Sequence, residues 1–127
     1  MKTVELYRSL QRALEKMKEA MNFPDTEPMR ESTIQRFEYT FELSWKLISS
    51  ILKDQGNEAF GVKNIIRDGA RLGLIDDVDR WFEYLLARNK ASHIYKEETA
   101  CEVYLIAKSD FISAVEGLLN QAKKYLE

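Results

Sequence analysis

Ile34-Gln35-Arg36-Phe37-Glu38-Tyr39-Thr40-Phe41-Glu42-Leu43-Ser44-Trp45-Lys46-Leu47-Ile48-Ser49-Ser50-Ile51-Leu52 is the stretch that decides the fold. Ile34, Phe37, Phe41, Trp45, Ile48 and Leu52 recur at three- and four-residue intervals, which is one stripe of an α-helix. Tyr39, Leu43, Leu47 and Ile51 form a second stripe on another side. A helix apolar on two sides must touch two sets of neighbours, so the segment is predicted to be the central helix of a bundle. Gly56 supplies the left-handed residue that ends it. Its start admits two readings: Thr26 caps it with Pro28 in the first turn, or Ser32 and Gln35 form a capping box.

Upstream, Val4, Tyr7, Leu10, Leu14, Met17 and Met21 make the single stripe of a first helix, and Pro24 stops it by forcing Phe23 out of helical geometry. Downstream, Gly61 to Leu72 reads as a shorter helix with Val62, Ile65, Ile66 and Ala70 inward, closed by Gly73. Asp76 or Asp77 then caps a fourth helix carrying Val78, Trp81, Phe82, Leu85 and Leu86. Glu97-Glu98-Thr99 opens a last long helix with Val103, Ala107, Phe111, Ala114, Leu118 and Tyr125 in its stripe and Ala122 less central. Nothing alternates like a strand. The expectation is an all-α, antiparallel bundle of about five helices.

The chain has 127 residues, one domain by length, and enough to bury roughly two-thirds of its unfolded surface. With 45% hydrophobic and 31% charged residues it is globular. The net charge is -2 with both signs interleaved, so any nucleic-acid affinity has to come from a local patch. The one cysteine, Cys101, excludes an intrachain disulfide and a thiolate zinc cluster. It falls on an apolar helix position and is read as a small buried residue. Met1-Lys2-Thr3-Val4-Glu5 runs straight into amphipathic helix, and no segment approaches the ~18 apolar residues that span a bilayer. A cytoplasmic protein without membrane contact is expected.

The candidate chemistry lies in Arg88-Asn89-Lys90-Ala91-Ser92-His93-Ile94-Tyr95, which holds the only histidine. A purely structural reading makes His93 a cation at a helix C-terminus, Ser92 a cap, and Arg88 the partner of an acid such as Glu42 or Glu98. A catalytic reading makes the segment a site for phosphodiester cleavage without a metal. Guanidinium makes paired hydrogen bonds to phosphate oxygens and stabilises charge developing there. Imidazole takes the proton of an RNA 2′-hydroxyl or gives one to the leaving 5′-oxygen. One histidine serves only one of those roles at a time, and a symmetric dimer supplies the second copy. Asn89 has the donors and acceptor to orient phosphate or ribose.

Metal chemistry fits poorly. There is no second histidine, and Asp76-Asp77 and Glu97-Glu98 diverge as neighbours, so both pairs read as helix N-terminal charges. No nucleophilic triad or glycine-rich phosphate loop is present, and no metal or cofactor is expected. Trp45, Trp81 and Phe82 read as core, or as a protein interface if exposed.

Three segments in this order and spacing carry a resemblance: Arg30 to Lys46, Arg71-Leu72-Gly73-Leu74-Ile75-Asp76-Asp77, and Arg88 to Tyr95. Together they resemble the small HEPN (higher eukaryote and prokaryote nucleotide-binding) proteins that pair with a minimal nucleotidyltransferase, also called nucleotidyltransferase substrate-binding proteins. The resemblance covers nearly the whole chain and implies a four-helix HEPN bundle with an additional short helix, a single domain over residues 1–127. It further implies a homodimer with its two Arg-x4-His-x-Tyr motifs facing one cleft. Active members are metal-independent ribonucleases, toxins of toxin–antitoxin pairs. Carried over, Arg88 contacts the scissile phosphate, His93 is the acid/base, Asn89 orients the site, and Tyr95 matches the tyrosine to which the partner nucleotidyltransferase antitoxin adds AMP. A second implied role is non-catalytic: a nucleotide- or substrate-binding subunit of a two-component nucleotidyltransferase.

Overall fold

The computed structural model describes residues 2–126, among which lie six α-helices and two short 3-10 turns. The helices are α1 (Lys2–Ala20), α2 (Glu27–Asp54), α3 (Val62–Arg71), α4 (Val78–Lys90), α5 (Glu97–Ala107) and α6 (Phe111–Ala122). No strand is present among the described residues.

The two-sided α2 is the centre, in contact with α1, α3, α4, α5 and α6. Phe37, Phe41, Leu47, Ile48 and Ile51 are wholly buried. The buried hydroxyls of Thr33, Thr40 and Ser44 donate to the carbonyls of Met29, Arg36 and Thr40 four residues back, so α2 carries polar groups through the core without orphaning them. Of the two possible starts, Thr26 is the cap: its hydroxyl accepts from the Met29 amide, and Pro28 sits in the first turn. At the far end Gly56, at φ 78°, lets the Asn57 amide reach the Leu52 carbonyl and closes a Schellman motif.

α1 runs antiparallel to α2. Thr3 at its start bonds Ser50 and Asp54 near the end of α2, while Arg36 near the beginning of α2 donates to the Lys16 carbonyl and pairs with Glu19. α3 packs so closely that a Cβ built on Gly69 would meet Ile48 Cγ2 at 2.7 Å.

α4 is set by aromatic packing. Phe111 lies edge-on to Phe37 (centroids 4.7 Å apart) and to Tyr84 (5.1 Å), and Tyr84 lies edge-on to Trp81 (5.3 Å). The Tyr84 hydroxyl donates to Asp110 Oδ1 at 2.6 Å, and Arg80 Nε reaches the same oxygen at 2.8 Å. The rotation of α4 about its own axis is thereby fixed one turn before Arg88.

The helical bundle agrees with the sequence, and four expectations need correction. The last long helix is broken at Lys108-Ser109-Asp110, where the Ser109 hydroxyl donates to the Ile106 carbonyl and Asp110 stands at the start of α6 without a side-chain capping bond. α5 and α6 thus take the place of one long helix. Cys101 is exposed, because α5 faces the core through Val103 and Ala107 and Cys101 points the other way. Tyr39 is 51% exposed: the second stripe of α2 is buried only from Leu47 onward. Ser92 caps nothing, since it lies inside the 3-10 turn Ala91–His93 and Lys96 precedes α5. Trp81 is core as read, while Trp45 and Phe82 are half-buried against its edge.

Candidate active site

The C-terminal turn of α4 carries Arg88 and Asn89, the 3-10 turn carries His93, and Tyr95 follows just before α5. Asp77, the second of the two candidate caps, starts α4 by accepting from the Arg80 amide. Ala91 is buried and anchors the 3-10 turn, whose His93 carbonyl accepts from the Lys96 amide at 3.1 Å. The short turn therefore holds His93 and Tyr95 outward on a backbone tied at both ends.

His93 and Tyr95 are brought together. His93 Nδ1 lies 3.4 Å from the Tyr95 hydroxyl, with ring centroids 5.9 Å apart. Tyr95 is 76% exposed, so its oxygen is open to a second protein or a nucleotide. Asn89 is exposed at the end of α4.

Arg88 stands apart from that pair and is turned toward α2. Its Nη2 is 3.7 Å from Glu42 Oε2, one of the two acids the structural reading offered, and its Cζ sits 5.7 Å from the centre of the Phe41 ring. Its Nε is buried with no hydrogen-bond partner, as is Trp45 Nε1 one turn beyond Glu42. No hydrogen bond joins Arg88 to His93 among the described residues. Glu38, one turn before Glu42, completes the surroundings. Burial pushes its carboxyl above the usual range, the Glu42 charge pushes the same way, and Arg88 opposes both. Glu38 was missed in the sequence, although its spacing of four from Glu42 on one face of α2 was visible there.

The arrangement supplies one cation beside an acidic partner, one imidazole and an exposed phenol. Such a set handles a phosphodiester by charge stabilisation and proton transfer.

The all-helical bundle is consistent with a HEPN-type protein of the branch associated with nucleotidyltransferases. Residues 5–124 match the family described as nucleotidyltransferase substrate binding protein like, and the chain belongs to that family. It is 36% identical over 96 residues to "Probable ribonuclease HepT" of Haemophilus influenzae, a stretch covering 72% of this chain and 65% of that relative, just under two-thirds of its length. A crystal structure of a protein from Thermus thermophilus superposes with a TM-score of 0.82 at 29% identity, covering 90% of this chain and 98% of that one. A Haemophilus influenzae structure, described as revealing the fold of a substrate binding domain of a nucleotidyltransferase, superposes with a TM-score of 0.70 at 30% identity, over 95% and 96% of the two chains. No helix among the described residues is long and apolar enough to cross a membrane.

Proposed function

We propose that residues 1–127 form a single HEPN domain that acts in the cytoplasm as a toxin-type, metal-independent endoribonuclease. In this reading the 2′-oxygen of RNA attacks phosphorus, the P–O5′ bond breaks, and a 2′,3′-cyclic phosphate and a 5′-hydroxyl result. Arg88 binds the non-bridging oxygens and His93 moves the proton on one side of the reaction, with Asn89 orienting the strand. A second copy's His93 serves the other side. Leu86 and Leu105, 57% and 64% exposed, line a groove of about 310 Å³ between α4 and α5 that offers an apolar face to that copy. A partner nucleotidyltransferase silences the enzyme by transferring AMP to Tyr95. Nucleotide attached there places an anion beside the imidazole and in the path of the RNA phosphate. The observation that carries the reading is the likeness to a probable ribonuclease, with Arg88, His93 and Tyr95 all on one end of α4 and the turn after it.

RNA cleavage in excess chelator tests it, comparing unmodified protein with His93→Ala after intact-mass measurement confirms bare Tyr95. Cleavage by the parent alone is expected. Equal cleavage by both removes His93 from the mechanism.

A second reading has its own support. The family description and the Haemophilus substrate-binding fold favour a non-catalytic subunit that presents nucleotide or substrate to a nucleotidyltransferase. Nucleotide binding that is lost in Arg88→Ala, with RNA left intact by the parent, selects it.

A further inference from the structure

The Arg88 guanidinium has two edges able to grip an oxyanion: the side edge, Nε with Nη2, and the end edge, Nη1 with Nη2. The side edge is turned into the protein. Its Nε is buried without an acceptor, and its Nη2 faces Glu42 Oε2 at 3.7 Å. Beneath lies the Phe41 ring, and Glu38 stands one turn away on the same face of α2. A phosphate arriving from solvent therefore has only the end edge to take.

We infer that Glu42 is a positioning residue for Arg88: its carboxylate holds the side edge of the guanidinium against Phe41 and so presents the end edge to an RNA phosphate. The inference deepens the reading of Arg88 as a phosphate ligand and rests on it. At 3.7 Å the pair is longer than a hydrogen bond, so Glu42 carries Arg88 loosely in the free protein. A shift of just under about 1 Å brings the carboxylate within hydrogen-bond distance of Nη2. Anchoring of the end edge by phosphate favours that closure, since a donor bonded at both edges is held in one plane. Glu38, one turn from Glu42, places a second carboxyl in the field of Arg88, although burial works against its charged form.

The opposing possibility is that Glu42 occludes Arg88 and RNA must displace it. The two differ in sign. The test uses the full chain and a short 2′-O-methyl RNA, which carries the phosphates but lacks the attacking hydroxyl. Affinity is measured for the parent, Glu42→Gln and Glu42→Asp, and the Arg88 Nε–Hε resonance is followed by NMR through each titration. Glu42→Gln is expected to bind about tenfold more weakly and to leave the Nε–Hε signal unmoved by RNA, with part of both recovered in Glu42→Asp. A merely structural role would lower the melting temperature of Glu42→Gln while its Nε–Hε signal still shifted with RNA as the parent's does. Binding by Glu42→Gln that equals or exceeds the parent's overturns the inference. Cleavage of ordinary RNA, run in parallel, separates it from the function proposed above. A parent that binds the 2′-O-methyl strand through Arg88 but never cleaves RNA sinks the ribonuclease and leaves the role of Glu42 standing. A parent that cleaves, alongside a Glu42→Gln that binds and cleaves equally well, does the reverse. A parent that binds no RNA overturns both.

Discussion

His93 Nδ1 and the Tyr95 hydroxyl lie 3.4 Å apart on a turn pinned by buried Ala91. When the phenol donates to Nδ1, the imidazole proton is left on Nε2, so Tyr95 biases the tautomer that faces substrate. The contact is long and exposed, and a neutral hydrogen bond of that kind contributes about 1 kcal/mol at most. Tyr95→Phe is therefore expected to lose about fivefold in cleavage rate at most. It should lose AMP acceptance altogether, because the acceptor hydroxyl is removed. Intact-mass measurement after incubation with the partner nucleotidyltransferase and ATP checks the second outcome, and single-turnover cleavage the first. Full modification of the Phe variant would move the AMP site off Tyr95.

Arg88 also separates charge from shape. Arg88→Lys keeps a cation near Glu42 but removes the planar end edge and the stacking on Phe41. Cleavage is expected to fall about 100-fold, the scale for losing a preorganised donor to developing charge. Melting temperature should stay near the parent's, since a half-exposed pair is retained. Near-parental cleavage by the Lys variant would mean that charge alone suffices and that the orientation of Arg88 is irrelevant.

The pairing of His93 with Tyr95 is legible in the sequence, and the reason is local. The Arg88-to-Tyr95 segment is contiguous, so its spacing alone places His93 and Tyr95 near each other. The two stripes of α2 announced a central helix, and Phe37, Phe41, Ile48 and Leu52 fill the core as that pattern requires. What the sequence concealed depends on packing between segments. Glu38 matters only because α4 lays Arg88 across α2. The break at Ser109-Asp110 does resemble a cap before an apolar run. The apolar stripe nevertheless continues in phase from Val103 through Ala107 to Phe111, and periodicity cannot register a kink that preserves it. Cys101 was misplaced because cysteine counts as apolar on any scale, whereas its exposure follows from which side of α5 meets α2 and α4.

Gly69 should be the tightest point of the α2–α3 contact. A methyl there meets Ile48 Cγ2 at 2.7 Å, and a β-branched side chain in a helix has little freedom to turn away. Overpacking typically costs about 1–3 kcal/mol, while replacing glycine within a helix returns up to about 1 kcal/mol. Gly69→Ala is thus expected to destabilise by about 1–2 kcal/mol in urea unfolding. In an Ile48→Ala background the same change should cost much less, because the clashing methyl is gone. Equal costs in both backgrounds would place the strain elsewhere.

Asp110 ties the start of α6 to α4 through Tyr84 and Arg80. Burial pushes its carboxyl up, but the hydrogen bonds from Tyr84 and Arg80 outweigh it and hold the group below its ordinary value. Burial, reinforced by the bond to Asp110, pushes the Tyr84 phenol far above its usual range, so it stays a donor at any working pH. A carboxyl with a depressed folded pKa binds fewer protons when folded than when unfolded, so its contribution is present above the unfolded value and is lost as pH falls through the folded one. Asp110→Asn is therefore expected to cost about 1 kcal/mol near neutral pH, a modest figure because the side chain is 56% exposed. The gap between parent and variant should hold steady down to about pH 5 and close below the ordinary carboxylate value of 3.8. Urea unfolding at pH 7, 5 and 3 measures it. Since the same contact fixes the rotation of α4, the variant should also bind 2′-O-methyl RNA more weakly at pH 7. A stability gap that persists in acid would show that the Asp110 charge is not what holds α6 to α4.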